Sequence, residues 1–369
     1  MKKLAGVMVL LLVASTAAFG QVVVNEWQIP FLNSLTGAIA SIGEYLHWGA
    51  NYAAQEINAA GGIAGKPVKV IGVDTALDPQ KGSVEMARIV KDSLVALGPV
   101  PEPVIMAAMP IAVENGMMSI TATTSYEYAA PYFPWTVSWF PPTEERLAPL
   151  VEAWLKQFSD IKTVVQFIEP YGAWPGMAKG HTRALGNLKL KEVKVDVPSD
   201  AVAFGPIVVR AMSQKPDAVI LACNAEKAAK IIKEMKSLGW TKMNHILVFS
   251  SADTPELYTT GGKDIEGVQI YNYTNDTLDT PRWNAFKAAY MADHKGTQVP
   301  SLAPNYYDAV YMVKEERKKI ADYLQNVKGF KGLLFEWDNV NGVAMTKPTY
   351  IFEVKDGKKK LVLEVKPKF

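Results

Sequence analysis

The sequence predicts an α/β protein built as two similar lobes, each a parallel sheet covered by helices on both faces. Three observations carry this. Short continuous apolar runs alternate with segments whose apolar residues recur at helical spacing, which is the pattern of strands buried on both sides. The alternation starts afresh after the proline-rich joint Phe140-Pro141-Pro142-Thr143. The chain has 369 residues, 49% of them hydrophobic, which is enough for two units that each bury their own core.

In order, Val22–Ile29 reads as a strand, and Gly43–Asn58 as a helix with Leu46, Ala50, Ala53, Ala54 and Ile57 on one face. Gly61-Gly62 and Gly65-Lys66-Pro67 punctuate a turn. Strand Val68–Asp74, helix Gln80–Lys91, strand Leu94–Gly98, helix Pro103–Glu114 and strand Met118–Thr123 complete the first series. The second series opens with helix Glu144–Phe158 and strand Thr163–Ile168, then helix Pro175–Leu188 and strand Val193–Val197. Helix Pro206–Ser213, strand Ala218–Ala222, helix Glu226–Leu238 and strands Ile246–Phe249 and Val268–Tyr273 follow. The last third breaks the rhythm. Helices Pro281–His294 and Tyr306–Lys319 precede a strand-like Leu333–Asp338 and a hairpin, Thr349–Val354 with Lys360–Val365, turning at Asp356-Gly357.

Residues 1–20 combine Met-Lys-Lys, the apolar run Leu4–Val13 and a small-residue stretch ending at Gly20. That fits a secretory signal peptide cut before Gln21, and implies a periplasmic protein. The run is about half the ~20 residues a spanning helix needs. Loss of Lys2 and Lys3 takes the formal charge from +2 to zero, so no nucleic-acid footprint remains. One cysteine, Cys223, excludes an intrachain disulfide and any multi-thiolate metal centre. It ends an apolar strand and reads as packed. No cofactor motif is found: in Gly65-Lys66 the phosphate loop's first glycine is replaced by Ala60, and its hydroxyl residue by Pro67. An exported hydrolase is the rival from another class. It lacks a Gly-x-Ser-x-Gly elbow and a His-Glu-x-x-His helix. His47, His181, His245 and His294 are isolated, and the first, second and fourth read as solvated helix positions.

Ser34-Leu35-Thr36-Gly37, Gly43, the run Gln55 to Gly65 (Gln-Glu-Ile-Asn-Ala-Ala-Gly-Gly-Ile-Ala-Gly), Asp74, Gly98 and Tyr171-Gly172 resemble type I periplasmic solute-binding proteins. The leucine/isoleucine/valine-binding branch, which serves ABC importers, is the nearest likeness. It runs from about Val22 to the C-terminus. The resemblance implies two Rossmann-like lobes joined by three crossings, with a solute trapped between them and a permease in the inner membrane as partner. The crossings are expected near Pro141, Tyr271–Asn275 and Phe330–Leu334. Residues 21–141 with 274–331 then form lobe 1, and 142–273 with 332–369 form lobe 2. A monomer suits free hinge motion, and no cofactor is implied. A sensor for a membrane signalling partner has the same lobes and stays open as a second reading.

The resemblance also implies contacts. A threonine turn after the fourth strand corresponds to Thr123, Thr124 and Ser125, without fixing which residue touches the solute. Where the family has a serine after the third strand's glycine, this chain has Glu102 or Pro103. A carboxylate there receives an ammonium group but repels a ligand carboxylate, or else it merely favours the dipole of the following helix. In the second lobe the likeness implies Tyr171 as a closing wall, with Trp174 three residues on. Asn224 stands where an aromatic contact is usual, and Asp253 is the candidate for the acid that holds a ligand's ammonium. Trp139 replaces a frequent arginine. The family default is a branched or aliphatic amino acid; the departures keep an amide or an aromatic acid in view.

Overall fold

A computed structural model describes residues 25–123, 126–138, 140, 143–170, 174–315, 328–334, 336–337, 339–340, 343–344 and 348–366. The first series contains β1 (Trp27–Asn33), α1 (Ala40–Ala59), β2 (Val68–Asp74), α2 (Pro79–Ile89) and β3 (Val95–Leu97). It continues through α3 (Glu102–Glu114), β4 (Met118–Thr121), the single turn α4 (Tyr126–Ala129) and β5 (Thr136–Ser138). The second contains α5 (Thr143–Leu155), β6 (Thr163–Ile168), α6 (Trp174–Asn187), β7 (Lys191–Asp196) and α7 (Gly205–Met212). It runs on through β8 (Ala218–Ala222), α8 (Ala225–Ser237), β9 (Ile246–Val248), α9 (Pro255–Gly261) and β10 (Gln269–Asn272). Then follow α10 (Pro281–Asp293), α11 (Ala303–Glu315) and six strands: β11 (Phe330–Lys331), β12 (Glu336–Trp337), β13 (Asn339–Val340), β14 (Val343–Ala344), β15 (Thr349–Lys355) and β16 (Lys358–Val365).

Two seven-stranded sheets result, in the orders β13-β14-β5-β4-β3-β1-β2 and β16-β15-β10-β9-β8-β6-β7; β11 and β12 pair separately. From β2 to β14 the first sheet is parallel, and from β7 to β10 so is the second. The antiparallel strands β13, β15 and β16 are added at the edges. The expected α/β architecture of two parallel-sheet lobes is therefore observed.

Two elements lie elsewhere than the sequence suggests. β1 runs in register with β2 from Trp27↔Val68 to Asn33↔Asp74. It therefore runs past the expected end at Ile29, while the Val22–Val24 part of the expected strand lies outside the described residues. The second difference concerns the C-terminal third. Of the expected strand Leu333–Asp338, Glu336–Trp337 forms β12 and pairs with β11, whereas Leu333–Leu334 lies outside any strand; β14 joins the first sheet through Val343↔Ser138. β13 and β14 belong to the first sheet and β15 to the second, so the chain passes between the two sheets from Ala344 to Thr349.

Helices α1 and α11 pack so closely that Gly49 has no space for a side chain. A Cβ there would sit 1.9 Å from the carbonyl oxygen of Ala303. Such backbone contact cannot relax by a rotamer change, so the cost resembles overpacking of a core, ~1–3 kcal/mol or more. Gly186, in α6, has open space around its Cβ position.

His181 also departs from expectation. It is not a solvated helix position: α6 turns it into the core of the second lobe, fully buried. There Nδ1 meets Gln166 Oε1 at 2.7 Å and Nε2 meets the Tyr271 hydroxyl at 3.1 Å. Burial lowers its pKa to about 3, so the folded protein holds it neutral.

Two outcomes are expected. Gly49→Ala should lower the melting temperature by several degrees, because ~1 kcal/mol is worth ~2–4 °C in domains of this size. Gly186→Ala should leave it unchanged or raise it slightly. Because the unfolded chain takes up a proton at His181 that the folded one refuses, stability is full above about pH 6.5 and falls as pH drops toward 3. The melting temperature of His181→Asn should therefore fall less steeply over that window than that of the parent protein; equal slopes would refute this.

Candidate functional site

Parallel strands place all their carboxyl ends on one edge, and in open α/β sheets ligands bind beyond that edge. The turns after β3 and β4 in the first sheet meet the turns after β6, β8 and β9 in the second. Between them lies a chamber of about 70 Å³. It is lined from the first lobe by Ile42, Val100, Glu102 and Ala122, and from the second by Trp174, Phe249 and Ser250. Phe140, just after β5, closes it where the lobes join. An adjoining chamber of about 140 Å³ lies between the start of α1 and the first turns of α8 and α9. Its walls include Ser41, Asn224, Glu226 and Glu256, and it shares Ile39, Ile42, Trp174 and Ser251 with the inner one.

Each functional side chain has a local cause. Gly98 ends β3 with φ +80°, and a Cβ there would lie 2.1 Å from the Leu32 carbonyl oxygen. Only glycine permits this turn. It delivers Glu102 to the first position of α3, 5% exposed, where its Oε1 accepts from the Thr123 hydroxyl at 3.4 Å. Tyr273 lies nearby with its ring 5.6 Å from that of Phe140. Burial first, and the Glu102 charge second, push its hydroxyl well above the usual phenol range. Trp174 opens α6 and donates its indole N–H to Ser251 Oγ at 3.2 Å, at the junction of the two chambers. Beside the outer chamber, Tyr45 of α1 donates to Glu256 Oε1 of α9 at 2.6 Å, a hydrogen bond from the first series of elements to the second.

Of the residues singled out in the sequence, Glu102 and Trp174 line the inner chamber, and Asn224 the outer one. Thr123 is buried behind Glu102. Thr124, Ser125, Tyr171 and Trp139 lie outside the described residues. Asn224 is occupied locally. Its side-chain oxygen caps α8 by accepting from the Lys227 N–H at 3.0 Å, and its own N–H donates to Glu169 Oε2 at 2.9 Å. Glu169, fully buried and paired with Lys227, was not singled out in the sequence although it holds this turn.

Asp253 lines neither chamber. Its carboxylate accepts from Tyr258 at 2.8 Å, from Asn272 at 3.1 Å and from the buried Lys359, which also pairs with Asp276. Burial disfavours the Lys359 charge, but the two carboxylates outweigh it and raise its pKa. The acid expected to hold a ligand's ammonium is thus committed to a cation of this chain. Cys223 is buried, and burial raises its thiol pKa far from reactivity. Among the described residues, no group of three His, Cys, Asp or Glu is placed to hold a metal. No helix among them is long and apolar enough to cross a membrane.

Known proteins share this arrangement. A Leu/Ile/Val-binding protein of Rhizobium johnstonii is 25% identical over 308 residues, covering 82% of this chain and 82% of that protein. The branched-chain amino acid transporter substrate binding protein of Streptococcus pneumoniae, solved in complex with isoleucine, superposes with a TM-score of 0.81 at 20% identity, covering 93% of this chain and 100% of that one. A solute binding protein of an ABC transporter from Rhodopseudomonas palustris, solved in complex with benzoate, gives a TM-score of 0.80 at 20% identity, covering 93% and 97%. At such identities the solved structures establish the fold alone. The family profile for periplasmic binding proteins matches residues 26–359, so this chain, with two sheets meeting at a cleft along their carboxyl edges, belongs to the periplasmic binding protein family.

Proposed function

We propose that this protein is the substrate-binding component of an ABC importer, carrying a small organic solute through the periplasm without altering it. The observation that carries the reading is the chamber between the lobes at the carboxyl ends of both sheets, with the Tyr45–Glu256 hydrogen bond joining α1 to α9 beside it. A solute held there touches both lobes at once, so it favours the shut form through contacts the open form lacks. The permease in the inner membrane would then read that shape. The signal-like residues 1–20 and the zero net charge after their loss support export and a soluble carrier. The relatives support the solute class. Proteins of this fold hold isoleucine and benzoate, both small molecules with an apolar body.

Binding should compact the protein. X-ray scattering of the mature chain against a panel of amino acids, amides, amines and aromatic acids should show a smaller radius of gyration with a ligand that also raises the melting temperature. A ligand at ~100 times its dissociation constant adds ~2.7 kcal/mol to the folded state, an easily read shift. Identical profiles across a panel that contains a tight binder would end the carrier reading. Tyr45→Phe removes a hydrogen bond to a carboxylate that exists only when the lobes meet. Affinity for that ligand should fall by about tenfold, following the ~1.5 kcal/mol such a bond contributes, with the melting temperature of the unliganded protein little changed.

A further inference from the structure

The two chambers have one sign of charge. Among their described lining residues the charged side chains are Glu102, Glu226 and Glu256, and none is cationic. Each of these acids sits in the first turn of a helix, α3, α8 or α9. Glu226 is paired with Lys230 at 2.6 Å, which leaves Glu102 and Glu256; a helix N-terminus supplies roughly half an elementary charge, so these two acids remain in excess. Glu256 further accepts from Tyr45 and Thr254, both neutral hydroxyls that do not cancel its charge.

The walls of the inner chamber are aromatic and aliphatic. Phe140, Trp174 and Phe249 present rings to it, and a ring face attracts a cation. Ser250, 1% exposed, lines the same space, and its hydroxyl has no hydrogen-bond partner among the described residues. That oxygen is placed to accept from a donor inside the chamber. A ligand carboxylate, by contrast, would face Glu102 with no cation among the described lining residues, a like-charge contact inside a low-dielectric space.

Resting on the solute-carrier reading above, we infer that the cleft takes a small organic cation: an ammonium group on an apolar body that carries no carboxylate. The ammonium lies toward Glu102 and the Ser250 hydroxyl, and the body fills the space between Ile42, Phe140, Trp174 and Phe249. Amino acids of the same body bind less well, because their carboxylate meets only acids.

Matched molecules test this. Calorimetric titration of the mature protein with 3-methylbutan-1-amine, L-leucine and 4-methylpentanoate varies the charged groups on one apolar body; benzylamine, benzamide and benzoate do so on another. The amine should bind at least tenfold tighter than the amino acid or the acid of the same body, with benzamide between benzylamine and benzoate. In Glu102→Gln the amines should lose at least tenfold while benzamide changes by less than threefold. If leucine, 4-methylpentanoate or benzoate binds as tightly as its amine, or if none of the six binds, the cation inference fails. The carrier reading is judged separately, by whether any solute of the wider panel compacts the protein in scattering. Should Glu102→Gln fail to fold, the ranking of the six ligands on the parent protein decides.

Discussion

Everything in this molecule follows from the parallel pairing of its inner strands. Parallel neighbours point the same way, so each sheet gathers its strand-ending turns on a single edge, and the two edges face each other. Glu102, Ala122, Trp174, Asn224 and Ser250, spread over almost 150 residues of sequence, converge for that reason alone. The same turns carry the first backbone N–H groups of α3, α6 and α8. A polar lining at the strand ends is therefore compatible with an apolar interior on either side.

Buried charge in the second lobe anchors those turns. Lys227 pairs with Glu169 and donates to the carbonyl oxygens of Pro198 and Ser199 at 3.1 and 2.8 Å, tying the turn after β8 to the segment after β7. Lys359, on the C-terminal hairpin, bridges Asp253 and Asp276, so it clamps the turn after β9 to the chain leaving β10 for the first lobe. Breaking either pair would leave an uncompensated buried charge, which typically costs 3–5 kcal/mol. The polar groups nearest the joint between lobes are thus committed to shape, and the cleft is left with aromatic rings, hydroxyls and acids at helix starts.

Much of this was legible in the amino-acid order. Val68–Asp74, Thr163–Ile168 and Ala218–Ala222 coincide with strands to the residue; the last two lie inside their sheet or against its edge neighbour and are apolar nearly throughout, while Val68–Asp74, at a sheet edge, buries only Val68, Val70 and Val73. The shortest strands were not legible. β5, β13 and β14 have two or three residues each and gain their pairing only from a neighbour already in place. Glu102 and Trp174 were found because they follow strands within a motif. Ile42, Phe140 and Phe249 were not, since an apolar residue facing the cleft looks the same in sequence as one facing the core.

By itself the sequence determined the class of fold, the doubling of the lobes, and an acid at the start of α3. Those depend on local periodicity and residue type. Only the tertiary structure decided which acids face the cleft. Asp253 and Glu102 both follow strands, yet one is turned toward a lysine 106 positions away while the other lines the chamber. Partners separated that far are chosen by how the lobes fold around each other, and no local pattern records the choice.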